Sequence, residues 1–285
     1  MRSLVLGAGG LVGGALLAEL SSRGFEVVGA VRDDLDITDR SKLVDGVIAL
    51  APEIVFNCAA FTGVDGCESR PDDARRVNHG GVVNVVAAAR AAAARVVHVS
   101  TDYVFDGRAQ VPYREEDPPA PQSVYGTTKL AGEAAALADP RSLVVRSSWI
   151  FGSTRASFVQ TVLGLLEAVE DPRIVDDQQG CPTYAPFLAR GLVDLAAAGS
   201  AGLVHYRNRA PVTWFGFARA IAAAVGSARL IMPVDSAAFP RPATRPAYSV
   251  LDVSRFELRV ARSVEDWRDG LDDCLTRLGA VGAGE

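Results

Sequence analysis

Short runs of aliphatic and β-branched residues alternate with alanine-rich amphipathic stretches through the first half of the chain. Ser3–Gly7, Glu26–Val31, Glu53–Asn57, Arg95–Ser100 and Ser142–Arg146 read as strands, being short apolar runs bounded by turn residues. Helical periodicity fills the intervals at about Leu11–Ser22, Arg40–Leu50, Arg75–Ala93 and Val124–Leu137. Strands alternating with helices predict an α/β fold built on a doubly wound parallel sheet. After Ile150 the alternation loosens, and Pro-rich passages at Cys181–Pro186 and Phe239–Ala247 interrupt it. The pattern divides the chain into an α/β domain over 1–150 and a smaller C-terminal lobe over 151–285, with later segments returning to the first domain. Arg108–Gln122 reads as a loop, and the Gly/Ala-rich tail Gly279–Glu285 is expected to fray.

Composition narrows the function classes. The 285 residues are 49% hydrophobic and 22% charged, with a formal charge of −5 and no basic stretch. That balance excludes a phosphate-backbone partner such as nucleic acid. No signal-peptide pattern and no apolar run long enough for a bilayer is present, so no membrane association is expected. Cys58, Cys67, Cys181 and Cys274 are scattered without Cys-x-x-Cys spacing, as in a reduced, cytoplasmic protein; neither a disulfide framework nor a metal site is expected.

The first strand runs into Gly7-Ala8-Gly9-Gly10-Leu11-Val12-Gly13, which opens the first helix. Glycines there let a pyrophosphate approach the backbone, and the helix N-terminus offers free N–H groups to the anion. The context makes this a Rossmann-type site and 1–150 a dinucleotide-binding domain, leaving 151–285 as mainly a substrate-binding lobe, with Gly7, Gly9, Gly10, Leu11, Val12 and Gly13 as coenzyme contacts. At the end of the second strand Asp33 suits a ribose 2′-hydroxyl and Arg32 suits a 2′-phosphate. The two signals conflict; NADPH is favoured, with NADH usable. Asp36 and Ile37 either flank the adenine or belong to a solvated loop and helix cap. Ala59, Ala60 and Thr62 follow the third strand, where small residues let a coenzyme pass.

Tyr125 and Lys129 stand four apart on a predicted helix, so the phenol and the ammonium share one face. Of 29 basic residues only Lys42 and Lys129 are lysine, which makes a retained lysine notable. Spacing alone suits a solvated helix face equally well. Thr101, at the carboxyl end of the fourth strand, belongs near a coenzyme and completes a set able to reduce a carbonyl. His98 inside that strand reads as a packed core residue.

On these motifs the chain resembles the dTDP-4-dehydrorhamnose reductase family of the extended short-chain dehydrogenase/reductase superfamily. Ser100-Thr101-Asp102-Tyr103-Val104-Phe105-Asp106-Gly107, Asp177-Gln178-Gln179-Gly180-Cys181-Pro182-Thr183 and Arg245-Pro246-Ala247-Tyr248-Ser249 are its specific marks; the glycine loop and Tyr-x-x-x-Lys identify only the superfamily. The resemblance implies reduction of the C4 ketone of a nucleotide-linked 4-keto-6-deoxy-L-sugar. It makes Tyr125 the proton donor, Lys129 its cation and a nicotinamide-ribose ligand, and Thr101 the group that positions the carbonyl. It further implies substrate contacts from Asp102, Tyr103, Val104, Phe105 and Trp149, with Arg245 toward the diphosphate. Asp177 and Gln178 either shape the sugar pocket or tie down a loop. Relatives carry asparagine where Ser157 stands, which leaves the sugar open: another 4-keto deoxysugar is compatible. A different class, a non-catalytic regulatory subunit of the kind that accompanies methionine adenosyltransferase, shares the fold. The resemblance also allows a homodimer.

Overall fold

The computed structural model describes residues 2–168 and 171–281; the end of the tail expected to fray lies outside them. Five strands form where the pattern places them: β1 (Arg2–Leu6), β2 (Glu26–Ala30), β3 (Ile54–Asn57), β4 (Arg95–Thr101) and β5 (Leu143–Ser147). A sixth, Gly202–His205, joins them from the second half of the chain. All pair in parallel, in the order Gly202–His205, β5, β4, β3, β1, β2. The sixth strand is four residues long and enters through Gly202 at φ 80°, too brief to register as an apolar run.

Alternation along each strand feeds two cores, as a parallel sheet buried on both faces requires. Val5, Val145 and Val204 meet Leu16 of α1 (Leu11–Ser22) and Leu188 and Leu192 of the helix Ala185–Ala197 on one face. Leu4, Val55 and Val144 meet Leu43 and Val47 of α2 (Arg40–Leu50) and Val85 on the other. A third core, around Phe151, Phe217, Trp267 and Leu271, belongs to the C-terminal half. Among the described residues no helix is long and apolar enough to cross a membrane.

The single helix expected over Arg75–Ala93 is instead broken. Pro71 starts a short helix to Arg75, a π-helical turn follows over Arg76–Gly81, and α-helix resumes over Val82–Ala91. The wide turn serves Asn78, which is 1% exposed. Its side chain takes the Phe61 N–H at 2.8 Å and donates to Phe61 O at 3.1 Å and Thr128 Oγ1 at 3.2 Å. π-turns of this kind concentrate at functional sites, and this one pins the loop after β3 to the helix Val124–Leu137. Gly132 permits the approach: a Cβ there would stand 2.2 Å from Asn78 O.

Candidate active site

A cleft of about 970 Å³ opens at the carboxyl ends of the strands, where the sheet order reverses between β1 and β3. Gly7, Gly9, Gly10, Leu11, Val12 and Gly13 line it together with Arg32, Asp33, Asp36, Ile37, Ala59, Ala60 and Thr62. Thr101, Asp102, Tyr103, Tyr125 and Trp149 line it as well. Most residues singled out in the sequence therefore converge on one space.

The glycine loop is tight for identifiable reasons. Gly7 adopts φ 77°, and a Cβ there would lie 2.7 Å from Ala59 N. At Gly13 a Cβ would meet Gly7 O at 2.2 Å. Gly10 caps α1 with no side-chain hydrogen bond, so the N–H groups of the first turn remain available to an anion. The cradle fits a dinucleotide diphosphate. At the adenosine end, Arg32 is largely exposed and pairs with Asp36 at 3.2 Å. Burial raises the Asp36 carboxyl, but hydrogen bonds from Thr38 and Arg32 outweigh it and hold the group below its ordinary range. Asp36 is thus engaged within its own loop while Arg32 keeps a free flank.

The helix Val124–Leu137 begins where Ser123 Oγ accepts the Gly126 N–H at 3.1 Å. Gly126 lets this turn abut the segment after β4, for a Cβ there would sit 2.2 Å from Tyr103 O. That contact brings Tyr125 beside Thr101, whose hydroxyl favours the phenolate form. Burial raises the Tyr125 phenol above its ordinary value, Thr101 opposes this, and Asp102 adds to the rise. Thr101 Oγ1 also donates to Asp102 Oδ1 at 3.0 Å. Burial pushes the Asp102 carboxyl up to about 6. Ser249 favours its ionised form, yet Asp102 Oδ2 and Ser249 Oγ make no hydrogen bond with each other or any described residue.

Lys129 lies one layer beneath the cleft surface, 3% exposed. Its Nζ donates to Val99 O at 2.7 Å and stands 3.4 Å from His98 Nε2; no hydrogen bond joins it to Tyr125. Burial brings Lys129 down to about 8, with Glu133 and Cys58 opposing. His98 is a core residue as expected, but a connected one. Asn57 Oδ1 is committed to the Ala59 N–H at 3.2 Å, so Asn57 Nδ2 faces His98 Nδ1 at 3.1 Å. Burial and then Lys129 hold His98 well below its ordinary value, so the ring is neutral. Cys58 lines the cleft too, but burial pushes its thiol up to about 12 and Lys129 only partly counters this.

Three expected substrate contacts are placed otherwise. Val104 and Phe105 are 0% and 1% exposed and pack with Tyr113 and Leu251, the Phe105 ring stacking on Tyr113 at 4.2 Å. The chain turns inward after Tyr103, so these side chains face a core instead of the cleft. Arg245 stands off the lining, donating to Asp65 Oδ2 at 2.9 Å, with its buried Nη1 unpaired among the described residues. Asp177 and Gln178 tie down a loop: Asp177 accepts Ser236 N–H at 2.8 Å and Ser236 Oγ–H at 2.7 Å, and Gln178 donates to Ser236 Oγ at 2.8 Å. Ser157 works with Gln160, whose Oε1 takes the Ser157 N–H at 2.9 Å and the hydroxyl at 2.6 Å, while Gln160 Nε2 donates to Gly152 O at 2.9 Å. The cleft also gathers Phe61, Arg70, Arg76 and Arg155, which no local pattern marked; Arg155 Nε reaches Gly9 O at 2.5 Å from 146 residues away. Among the described residues no cluster of three His, Cys, Asp or Glu could hold a metal ion.

A diphosphate cradle and a hydroxyl–phenol pair at the mouth of one parallel sheet define an oxidoreductase of the short-chain dehydrogenase/reductase class. Comparison with known proteins takes this further. The family model described as the RmlD substrate binding domain matches residues 1–280. A dTDP-4-dehydrorhamnose reductase of Streptomyces griseus is 40% identical over 97% of this chain and 94% of its own length. A probable dTDP-4,6-dihydroxy-2-methyloxan-3-one 4-ketoreductase of Streptomyces antibioticus is 37% identical over 96% and 95%. Among solved structures, a dTDP-4-dehydrorhamnose reductase of Clostridium acetobutylicum superposes with a TM-score of 0.95 at 36% identity, covering 98% of this chain and 100% of that one. One from Bacillus anthracis, in complex with NADP, gives 0.93 at 32%, covering 96% and 98%. The chain belongs to the dTDP-4-dehydrorhamnose reductase family.

Proposed function

We propose that this protein reduces the C4 ketone of dTDP-4-dehydro-L-rhamnose to dTDP-L-rhamnose with NADPH, NADH serving as a second coenzyme. The observation that carries the reading is the placing of Thr101 and Tyr125 side by side in the cleft that also contains the glycine cradle. Bound coenzyme supplies hydride to C4. As hydride arrives, the C4 oxygen gains the electron pair of the C=O bond, and Tyr125 passes its phenolic proton to that oxygen. A phenol raised by burial keeps its proton until an alkoxide, a much stronger base, develops beside it. Thr101, whose hydroxyl donates to Asp102 Oδ1 before substrate arrives, turns that proton to the carbonyl oxygen and so aligns it beside Tyr125. Lys129, underneath, acts as a positive field that favours the phenolate, which regains its proton from solvent once product leaves. The largely exposed Arg32 favours a coenzyme with a 2′-phosphate.

A second reading, a 4-ketoreductase for another dTDP-deoxysugar, is favoured by Ser157 and by the Streptomyces antibioticus relative. Four cysteines without a disulfide among them suit a cytoplasmic enzyme. The test supplies dTDP-4-keto-6-deoxyglucose, a 3,5-epimerase and NADPH or NADH, and follows coenzyme oxidation with the product sugar. Rhamnose as product supports the proposal; a different C4 configuration selects the second reading; no coenzyme consumption sinks both and leaves the regulatory-subunit alternative. Tyr125→Phe should abolish turnover while coenzyme still binds.

A further inference from the structure

The Asp177–Thr183 run is a mark of the family, and its glycine has had no role so far. It packs on Trp149. That residue holds φ 46°, a left-handed backbone that a bulky side chain keeps only when its surroundings enforce it. The Trp149 indole lies parallel to that of Trp214, with centroids 3.5 Å apart and planes within 5°. Phe158 supports Trp214 from beyond, at 4.5 Å. A Cβ placed on Gly180 would stand 2.4 Å from Trp149 Cε2 and 2.7 Å from both Cζ2 and Nε1. An atom approaching in the ring plane would reach Nε1 and Cζ2 before Cε2. Closest approach to the fusion carbon, with equal longer distances to its neighbours, is an approach over the ring face. Trp214 already covers one face, so Gly180 covers the other.

The backbone builds the same arrangement. Gly180 pairs with Val212 and Gln179 with Thr213, which bring Gly180 and Trp214 together. Thr183 N–H donates to Trp149 O at 3.1 Å, and Ser148 Oγ donates to Cys181 O at 2.8 Å. Of the three, only Trp149 lines the cleft.

We propose that Gly180 and Trp214 are positioning residues that clamp Trp149 between them, so that its indole meets the nucleotide sugar edge-on instead of stacking a face against it. Glycine in this motif is then required by the indole, since its φ lies outside the left-handed region. The edge carries Nε1–H, which has no acceptor among the described residues, and so can offer a hydrogen bond to a sugar or phosphate oxygen. The second half of this statement rests on the nucleotide-sugar reading above.

Stacked indoles couple excitonically and, with their transition dipoles turned relative to each other within the stack, give a paired circular-dichroism band in the far ultraviolet. The wild-type protein should show this couplet, and dTDP should leave it unchanged after subtraction of free ligand. A couplet absent from the free protein, or erased by dTDP because a base or sugar has taken Trp214's place, overturns the proposal. Trp214→Leu should lose the couplet and raise KM for the nucleotide sugar about tenfold with coenzyme Kd unchanged. Trp214→Phe should also lose it, yet recover most of the KM, because a flat ring still backs the indole. A Trp214→Leu protein that has lost the couplet but keeps the wild-type KM overturns the positioning role. Gly180→Ala gives an independent variant should Trp214→Leu fail to fold: it should shift the couplet and raise the same KM, and a neutral result counts against the clamp. A wild-type protein that reduces no nucleotide sugar and binds no dTDP would defeat the functional reading alone, since the couplet and the effect of Gly180→Ala on it still judge the clamp.

Discussion

Replacing Glu133 by glutamine should be the most damaging isosteric change in the molecule. Glu133, on the helix Val124–Leu137, and Arg146, on β5, are 2% and 3% exposed. The carboxylate takes Arg146 Nε at 2.9 Å, Arg146 Nη2 at 2.7 Å and Ser100 Oγ at 2.5 Å. Glutamine keeps the shape, but it removes the counter-charge and turns an amide N–H₂ toward a guanidinium donor. The remaining neighbours of Arg146 are the neutral His205 ring at 3.3 Å and the Phe105 face at 5.0 Å. Neither neutralises a buried cation. Removing one partner of such a pair costs about 3–5 kcal/mol, because the survivor's desolvation is no longer offset. With an unfolding entropy of about 2.1 cal/mol/K per residue, that is a fall in Tm of about 5–8 °C for a 285-residue chain. Scanning calorimetry on Glu133→Gln, Arg146→Met and the combined Glu133→Leu/Arg146→Met protein measures it. Both single variants should lose several kcal/mol, and the double should recover most of the loss, as apolar replacement of a buried pair does. A Tm loss below about 2 °C for Glu133→Gln would refute the reasoning. The change reaches the chemistry too, since Glu133 raises the Lys129 proton affinity that burial lowers.

Lys129 at about 8 predicts that kcat/KM falls as pH rises through about 8 in the free enzyme, where the ammonium is lost; Lys129→Met should remove that limb from the pH–rate profile, and Glu133→Gln should move it to lower pH. Asp102 has a folded pKa of about 6, above the unfolded carboxylate value near ~3.9, so it binds its proton more tightly when folded and its ionisation weakens the fold as pH rises between the two. Asp102→Asn should therefore stabilise the protein by up to about 3 kcal/mol at about pH 8 and lose that advantage near about pH 4, as thermal melts at the two pH values would reveal; equal shifts at both would contradict the assignment. Gly13→Ala drives a methyl to 2.2 Å from Gly7 O and should weaken coenzyme binding at least about tenfold by fluorescence titration, whereas Gly24→Ala, where a Cβ meets nothing within 4 Å, should leave affinity unchanged and cost only fold stability.

The glycine loop, the Tyr125–Lys129 helix and the Thr101 strand tip were legible in one dimension because each depends on neighbours within about one helical turn or one strand. Periodicity is a local property, and it located the five leading strands and the helices α1 and α2 nearly to the residue. It failed where a residue answers to something distant. Asn78 forces a π-turn for the sake of Phe61 and Thr128, 17 and 50 residues away, and the expected single helix breaks there. Val104 and Phe105 share a motif with Thr101 and yet face a core, because the 3-10 turn Asp102–Val104 carries them onto Tyr113 and Leu251.

The Tyr125–Lys129 spacing is set by the chain alone: a helix puts both on one face whatever surrounds it. Their unequal fates are not. Tyr125 reaches the cleft and Thr101, while Lys129 sinks 3.4 Å from a neutral His98 and bonds to Val99 O. Burial then brings the ammonium to about 8. The depth of a side chain, the charge of a ring and the two faces of Trp149 depend on which remote segments pack together. Short-range pattern carries the residue types that chemistry requires, and long-range packing assigns each its dielectric, its partner and its direction.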